Sequence, residues 1–128
     1  MTPLKKNRSF VISYHNLNKY NIMEVKTKSE LDKIINANDL VIVRFHANWC
    51  GPCRMLDSII ANIEAKNMDT AVFAGVNVDE ADEEFVANSG VRNIPVLQFY
   101  KNGTLIDKTV GLISEQDLIN KIKELKED

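Results

Sequence analysis

An apolar run, Leu40-Val41-Ile42-Val43, leads into Trp49-Cys50-Gly51-Pro52-Cys53, after which apolar residues recur with helical spacing at Met55, Leu56, Ile59, Ile60 and Ile63. A continuous apolar run reads as a strand covered on both faces. A strand that feeds straight into an amphipathic helix belongs to an α/β layer structure. The junction also carries both cysteines of the chain. Two thiols at this spacing can close a small disulfide ring and reopen it with little backbone movement, so the pair reads as a redox device.

The rest of the chain sets the frame for that device. With 128 residues it can bury a full core as one domain, and it needs no disulfide for stability. The formal net charge is -2, and no basic face stands out, so nucleic acid is not expected as a partner. No apolar stretch is long enough to span a bilayer, so no membrane is expected either. The first 23 residues contain no acid and carry Lys5, Lys6, Arg8 and Lys19. Their apolar stretch, Phe10-Val11-Ile12, is too short for a signal-peptide core, and a transit peptide is disfavoured. Residues 1–21 are expected to form a flexible extension and residues 22–128 the domain; a start at Met23 is the alternative. A reducing cytoplasmic compartment suits a catalytic Cys-x-x-Cys pair.

Along the chain, 20–25 reads as a short strand. Lys28-Ser29-Glu30 opens a helix with Ser29 as candidate N-cap and Leu31, Ile34 and Ile35 on one face. The strand 40–46 and the helix 52–66 follow. A second buried strand covers 70–78. An acidic helix covers 80–89 and stops at Gly90. A strand over 96–100, the turn signal Asn102-Gly103 and a strand over 104–110 form a hairpin. Ser114 caps a last helix that carries Leu118, Ile119, Ile122 and Leu125. The order β-α-β-α-β-α-β-β-α predicts helices layered on a sheet, and the closing hairpin makes that sheet mixed.

At the strand-to-helix turn, the helix N-terminus points free N–H groups and a positive dipole end at Cys50. Pro52 fits the first helical position, where its missing N–H costs nothing. Cys50 is therefore expected to attack a substrate disulfide. Cys53, a turn further in and more buried, is expected to resolve the mixed disulfide. A zinc site would need four ligands, and Cys50, Cys53, His15 and His46 match no finger pattern. Inert core thiols are disfavoured by the Gly-Pro turn between the pair.

These residues resemble the thioredoxin family over about residues 22–128. The resemblance rests on Trp49-Cys50-Gly51-Pro52-Cys53, on Ile94-Pro95, on Lys101-Asn102-Gly103 and on Val110-Gly111. It implies a five-stranded mixed sheet with helices on both faces. It implies a cis Pro95 facing the Cys pair, where the residues alone would favour a trans proline starting an edge strand. Trp49, Gly51, Pro52, Ile94, Pro95 and Gly111 would then form the substrate groove, Ile94 and Val96 pairing with an extended segment. For Gly111 a simple turn glycine is the competing account. The resemblance also implies disulfide-containing protein substrates, a flavin- and nicotinamide-dependent thioredoxin reductase as electron source, and no cofactor bound by the domain itself; a monomer is the default expectation.

The chain also departs from the family. Arg44 stands where thioredoxins usually carry a buried aspartate, and Gly75 where a lysine is usual. Either Arg44 snorkels outward or pairs with some carboxylate, or it lies buried and stabilises the thiolates, raising the reduction potential. His46 is a second candidate modulator, with ordinary packing and one hydrogen bond favoured. Asp57 and the stretch Asp79-Glu80, Asp82-Glu83-Glu84 read as solvated faces. The leading expectation is a reductase of protein disulfides. A thiol oxidant or isomerase is the first alternative, and a non-enzymatic binding subunit using the groove around Trp49 and Pro95 the second.

Overall fold

A computed structural model of the chain describes residues 23–66 and 71–127. The expected extension, the first three residues of the strand expected over 20–25, and the first residue of the strand expected from Thr70 lie outside the described residues. The elements are β1 (Met23–Glu24), α1 (Lys28–Ala37), β2 (Leu40–His46), α2 (Gly51–Lys66), β3 (Val72–Asn77), α3 (Glu83–Asn88), β4 (Val96–Lys101), β5 (Thr104–Val110) and α4 (Glu115–Lys126).

The five strands form one sheet in the order β1-β3-β2-β4-β5. β3 runs parallel to β1 and β2, β4 is antiparallel to β2, and β5 is antiparallel to β4. The apolar run places β2 at the centre, and every residue of it is buried. Alternation along β2 sends its side chains to two different cores. Val41, Val43 and Phe45 pack with Leu31, Ile34 and Ile35 of α1 and with Phe85 of α3. Leu40 and Ile42 pack with Leu56, Ile60 and Ile63 of α2, with Leu97 and Phe99 of β4, and with Leu118 and Ile122 of α4. Helices therefore cover both faces, as expected. Arg44 and His46 share the parity of Leu40 and Ile42, so their side chains enter the layer beneath α2.

Several boundaries differ from the sequence expectation. The N-cap of α1 is Thr27 rather than Ser29: its hydroxyl accepts from Glu30 N–H at 3.1 Å, and Glu30 in turn accepts from Lys26 N–H at 2.7 Å. The acidic helix α3 starts only at Glu83, because the Asp82 carboxylate caps it by accepting from Phe85 N–H. Ser114 caps α4 as expected. Met55, on the flank of the α2 stripe, is 57% exposed rather than packed.

Burial pushes the Glu64 carboxyl on α2 up from 4.5 to about 7. A raised carboxyl binds a proton in the folded state that the unfolded chain has already released. Stability therefore falls as pH rises through that window. Urea midpoints measured across it should fall for the unaltered protein relative to Glu64→Gln, which lacks the titration.

Candidate active site

The turn from β2 into α2 sets the cysteines. Cys50 precedes the first residue of the helix, and its N–H donates to the Ala47 carbonyl at 3.2 Å. Pro52 is the second helical residue rather than the first, still in the turn that needs no intrahelical donor. Cys50 and Cys53 are joined in a disulfide with a Cα–Cα distance of 5.3 Å. Cys53 N–H donates to Cys50 Sγ at 3.2 Å. The helix end thus serves the Cys50 sulfur, where negative charge develops on reduction. Cys53 is 1% exposed and Cys50 4%. The order of burial matches expectation, although Cys50 is less open than a turn position suggested. Gly51 and Pro52 are the exposed members of the ring. Ala47, Val78 and Ile94 pack around both cysteines.

Ile94, one of the residues expected to form a groove, packs against the cysteine cluster. The Ile94–Pro95 peptide bond is cis, as the resemblance implied. Gly111 N–H donates to the Pro95 carbonyl at 2.8 Å, which ties the end of β5 to the proline. Gly111 has φ +90, a backbone conformation that side chains rarely adopt. The turn account of Gly111 holds, and its hydrogen bond places it beside the cis proline. Trp49 is 68% exposed beside the disulfide, yet its indole N–H donates to Asp79 at 2.8 Å. Asp79 is itself fixed, its N–H donating to the Asn77 side chain at 2.9 Å. From sequence the acidic stretch reads as a solvated face. One of its members instead orients the tryptophan.

The largest surprise lies under the helix. Arg44 is fully buried and does not snorkel. Its Nη2 donates to Glu24 Oε2 at 3.2 Å. Its Nη1 lies 2.8 Å from Asp57 Oδ1, a charge contact not aligned as a hydrogen bond. Asp57 is 9% exposed, so its reading as a solvated residue is corrected. His46 Nε2 bonds the other Glu24 oxygen, Oε1, at 2.9 Å. Burial pulls the Arg44 guanidinium below its ordinary value, against the raising pull of Asp57 and Glu24. Arginine nevertheless stays charged in a protein.

Register explains how these residues meet. Glu24 pairs with Gly75, and Gly75 pairs with Arg44, in one row across β1, β3 and β2. Glu24 reaches along that row over the bare backbone of Gly75. A Cβ at Gly75 would overlap the Glu24 carboxylate and lie 3.0 Å from its Cδ. The glycine that replaces the family's usual lysine is thus the gap that admits a carboxylate to a buried arginine.

Fold and site together define a thiol–disulfide oxidoreductase. The sequence matches the thioredoxin family model over residues 22–124. It is 37% identical over 99 residues to a thioredoxin of Mycoplasmoides gallisepticum, which covers 77% of this chain and 97% of that one. Among solved structures, the N21Q mutant thioredoxin from Halobacterium salinarum superimposes with a TM-score of 0.71 at 35% identity, covering 79% of this chain and 87% of that one. Oxidised mitochondrial thioredoxin 3 from Saccharomyces cerevisiae gives 0.74 at 28% identity, covering 84% and 99%. The chain belongs to the thioredoxin family, whose members are protein-disulfide oxidoreductases with a redox-active Cys pair. Disulfide-bearing proteins are the substrate class of that family.

Proposed function

We propose that this chain reduces protein disulfides in the cytoplasm through a cycle of Cys50 and Cys53. The Cys50 thiolate attacks one sulfur of a substrate disulfide, and the other substrate sulfur leaves as a thiolate. Cys53 then attacks Cys50 Sγ, closes the internal disulfide and releases the second substrate thiol. The observation that carries these roles is the Cys53 N–H directed at Cys50 Sγ, with Cys53 the more buried of the two. A substrate segment lies against Trp49, Gly51, Pro52 and Gly111. It pairs with backbone groups flanking the cis Ile94–Pro95 bond.

The electrons come from a thioredoxin reductase, and the protein works as a monomer. One structural neighbour comes from a study of thiol resolution in a yeast mitochondrial 1-Cys peroxiredoxin through glutathione and thioredoxin systems. A peroxide-reducing thiol enzyme is therefore one suitable substrate here. The charge around Arg44 favours a reductase over an oxidant, since two carboxylates more than offset the one buried cation. His46, bonded to Glu24, modulates the same cluster.

Turnover of a protein disulfide, with a thioredoxin reductase as electron source, tests this reading. The unaltered protein should sustain it, and the variant with both Cys50→Ser and Cys53→Ser should not. Unchanged turnover in that variant would refute the redox reading.

A further inference from the structure

β1 is a two-residue strand at the edge of the sheet, yet it carries a charge that reaches the buried layer beneath α2. Met23 and Glu24 pair with β3, and the Val25 N–H donates to the Gly75 carbonyl at 2.8 Å. A short edge strand held by a few backbone bonds belongs to the part of a fold that opens most readily. The Glu24 carboxylate nevertheless crosses Gly75, accepts from Arg44 Nη2 at 3.2 Å and bonds His46 Nε2 at 2.9 Å.

From Arg44 the row continues to the cysteine helix. Arg44 Nη1 lies 2.8 Å from Asp57 Oδ1. Asp57 stands one turn beyond Cys53 on the same buried face of α2. On β2, Arg44 shortly precedes Ala47, which packs on both cysteines. No contact with sulfur is needed, because a charge in a layer of low dielectric acts on a thiolate through space.

The other groups around this layer keep their places whether or not β1 is docked. α2 contributes Asp57, and β2 contributes Arg44 and His46. At this level β3 contributes Gly75 and Asn77 and β4 contributes Leu97, none of which titrates. On the open side, Arg54 is turned to the Asn48 carbonyl and Asp79 holds Trp49. Among the described residues, Glu24 is the charge of this cluster whose place depends on β1.

We propose that Glu24 is a positioning residue through which the docking of β1 sets the reactivity of the Cys pair. The proposal rests on the two-cysteine cycle above. With β1 docked, Glu24 offsets the Arg44 guanidinium, and the Cys50 thiolate gains little from that cation. With β1 released, Arg44 faces the cysteine layer beside Asp57 without Glu24, and the thiolate is stabilised. The coupling is reciprocal: if docked β1 disfavours the thiolate, forming the thiolate loosens β1 by the same factor.

Amide hydrogen exchange at Val25, in the full chain, reads the coupling from the β1 side. Above the Cys50 titration, exchange should be several-fold faster in the reduced than in the oxidised protein. That ratio should fall to one once the thiolate is protonated, and it should stay near one at every pH in Glu24→Gln. Alkylation of the reduced protein by iodoacetamide across pH reads the coupling from the cysteine side. Glu24→Gln should lower the Cys50 midpoint by about one pH unit, the order expected for a buried charge acting at a distance. Gly75→Ala should act the same way, since its Cβ would displace the Glu24 carboxylate and leave the charge in the chain. It carries the test if Glu24→Gln does not fold. A Cys50 midpoint unmoved in these variants would overturn the proposal even if their denaturant midpoints fall, because the row would then serve the fold alone. An exchange ratio in Glu24→Gln equal to that of the unaltered protein would overturn it too. If the unaltered reduced protein shows no thiol that alkylates ahead of the other, the assignment of Cys50 as attacker fails instead, and the two-cysteine cycle with it.

Discussion

Replacing Cys53 with serine should convert the protein from a catalyst into a trap. Cys50 keeps its place at the helix end and still attacks, but no thiol is left to resolve the mixed disulfide. A covalent complex with a disulfide-bearing protein should accumulate and be stable until an external thiol is added. Non-reducing electrophoresis after mixing with such a substrate reads this directly. The Cys50→Ser variant should form no such complex, because Cys53 is the more deeply buried thiol. The asymmetry between the two variants is the informative result. Equal trapping by both would mean that either sulfur can attack, and the assigned roles would be wrong.

Replacing Arg44 with alanine should destabilise the fold by about 3–5 kcal/mol at neutral pH, the usual effect of removing one partner of a buried ion pair. The guanidinium is fully buried, and its loss leaves Glu24 and Asp57 close together in a layer of low dielectric. Two carboxylates in that setting hold protons more tightly than in the unfolded chain. The deficit should therefore shrink as pH falls toward the ordinary carboxylate range. Denaturant midpoints at neutral and acidic pH measure both parts. Replacing Glu24, Arg44 and Asp57 together with apolar residues of similar volume should restore most of the loss, since buried ion triads are often neutral for stability. The cluster would then be dispensable for the fold.

Some features of this molecule are encoded locally and others only through long-range pairing. The strand 40–46, the helix behind the cysteines and the closing hairpin announce themselves through local periodicity and turn residues. The roles of Cys50 and Cys53 follow from local placement at a helix end. Local sequence does not single out Thr27 as the cap, because Ser29 stands close by and is of an equally suitable type. The Arg44 cluster was not legible as a cluster, although the unusual arginine and glycine were visible. It depends on cross-strand register: Glu24, Gly75 and Arg44 lie far apart in sequence and fall into one row only when β3 is inserted between β1 and β2. Asp57 looked solvated because a charged residue beside an apolar stripe usually is. Its counter-ion sits on a different element. The Trp49–Asp79 bond was hidden for the same reason, since it joins two loops.

The reduction potential of the Cys50–Cys53 pair, measured by equilibration against glutathione with thiol trapping, decides whether the buried cation is compensated. With the Arg44 charge offset by Glu24 and Asp57, the value should lie near that of a reducing thioredoxin, about -270 mV. A value near that of disulfide isomerases or above it, about -180 mV or higher, would contradict the compensation. The buried cation would then be acting as an uncompensated charge on the thiolates, and the protein would oxidise or isomerise its partners rather than reduce them.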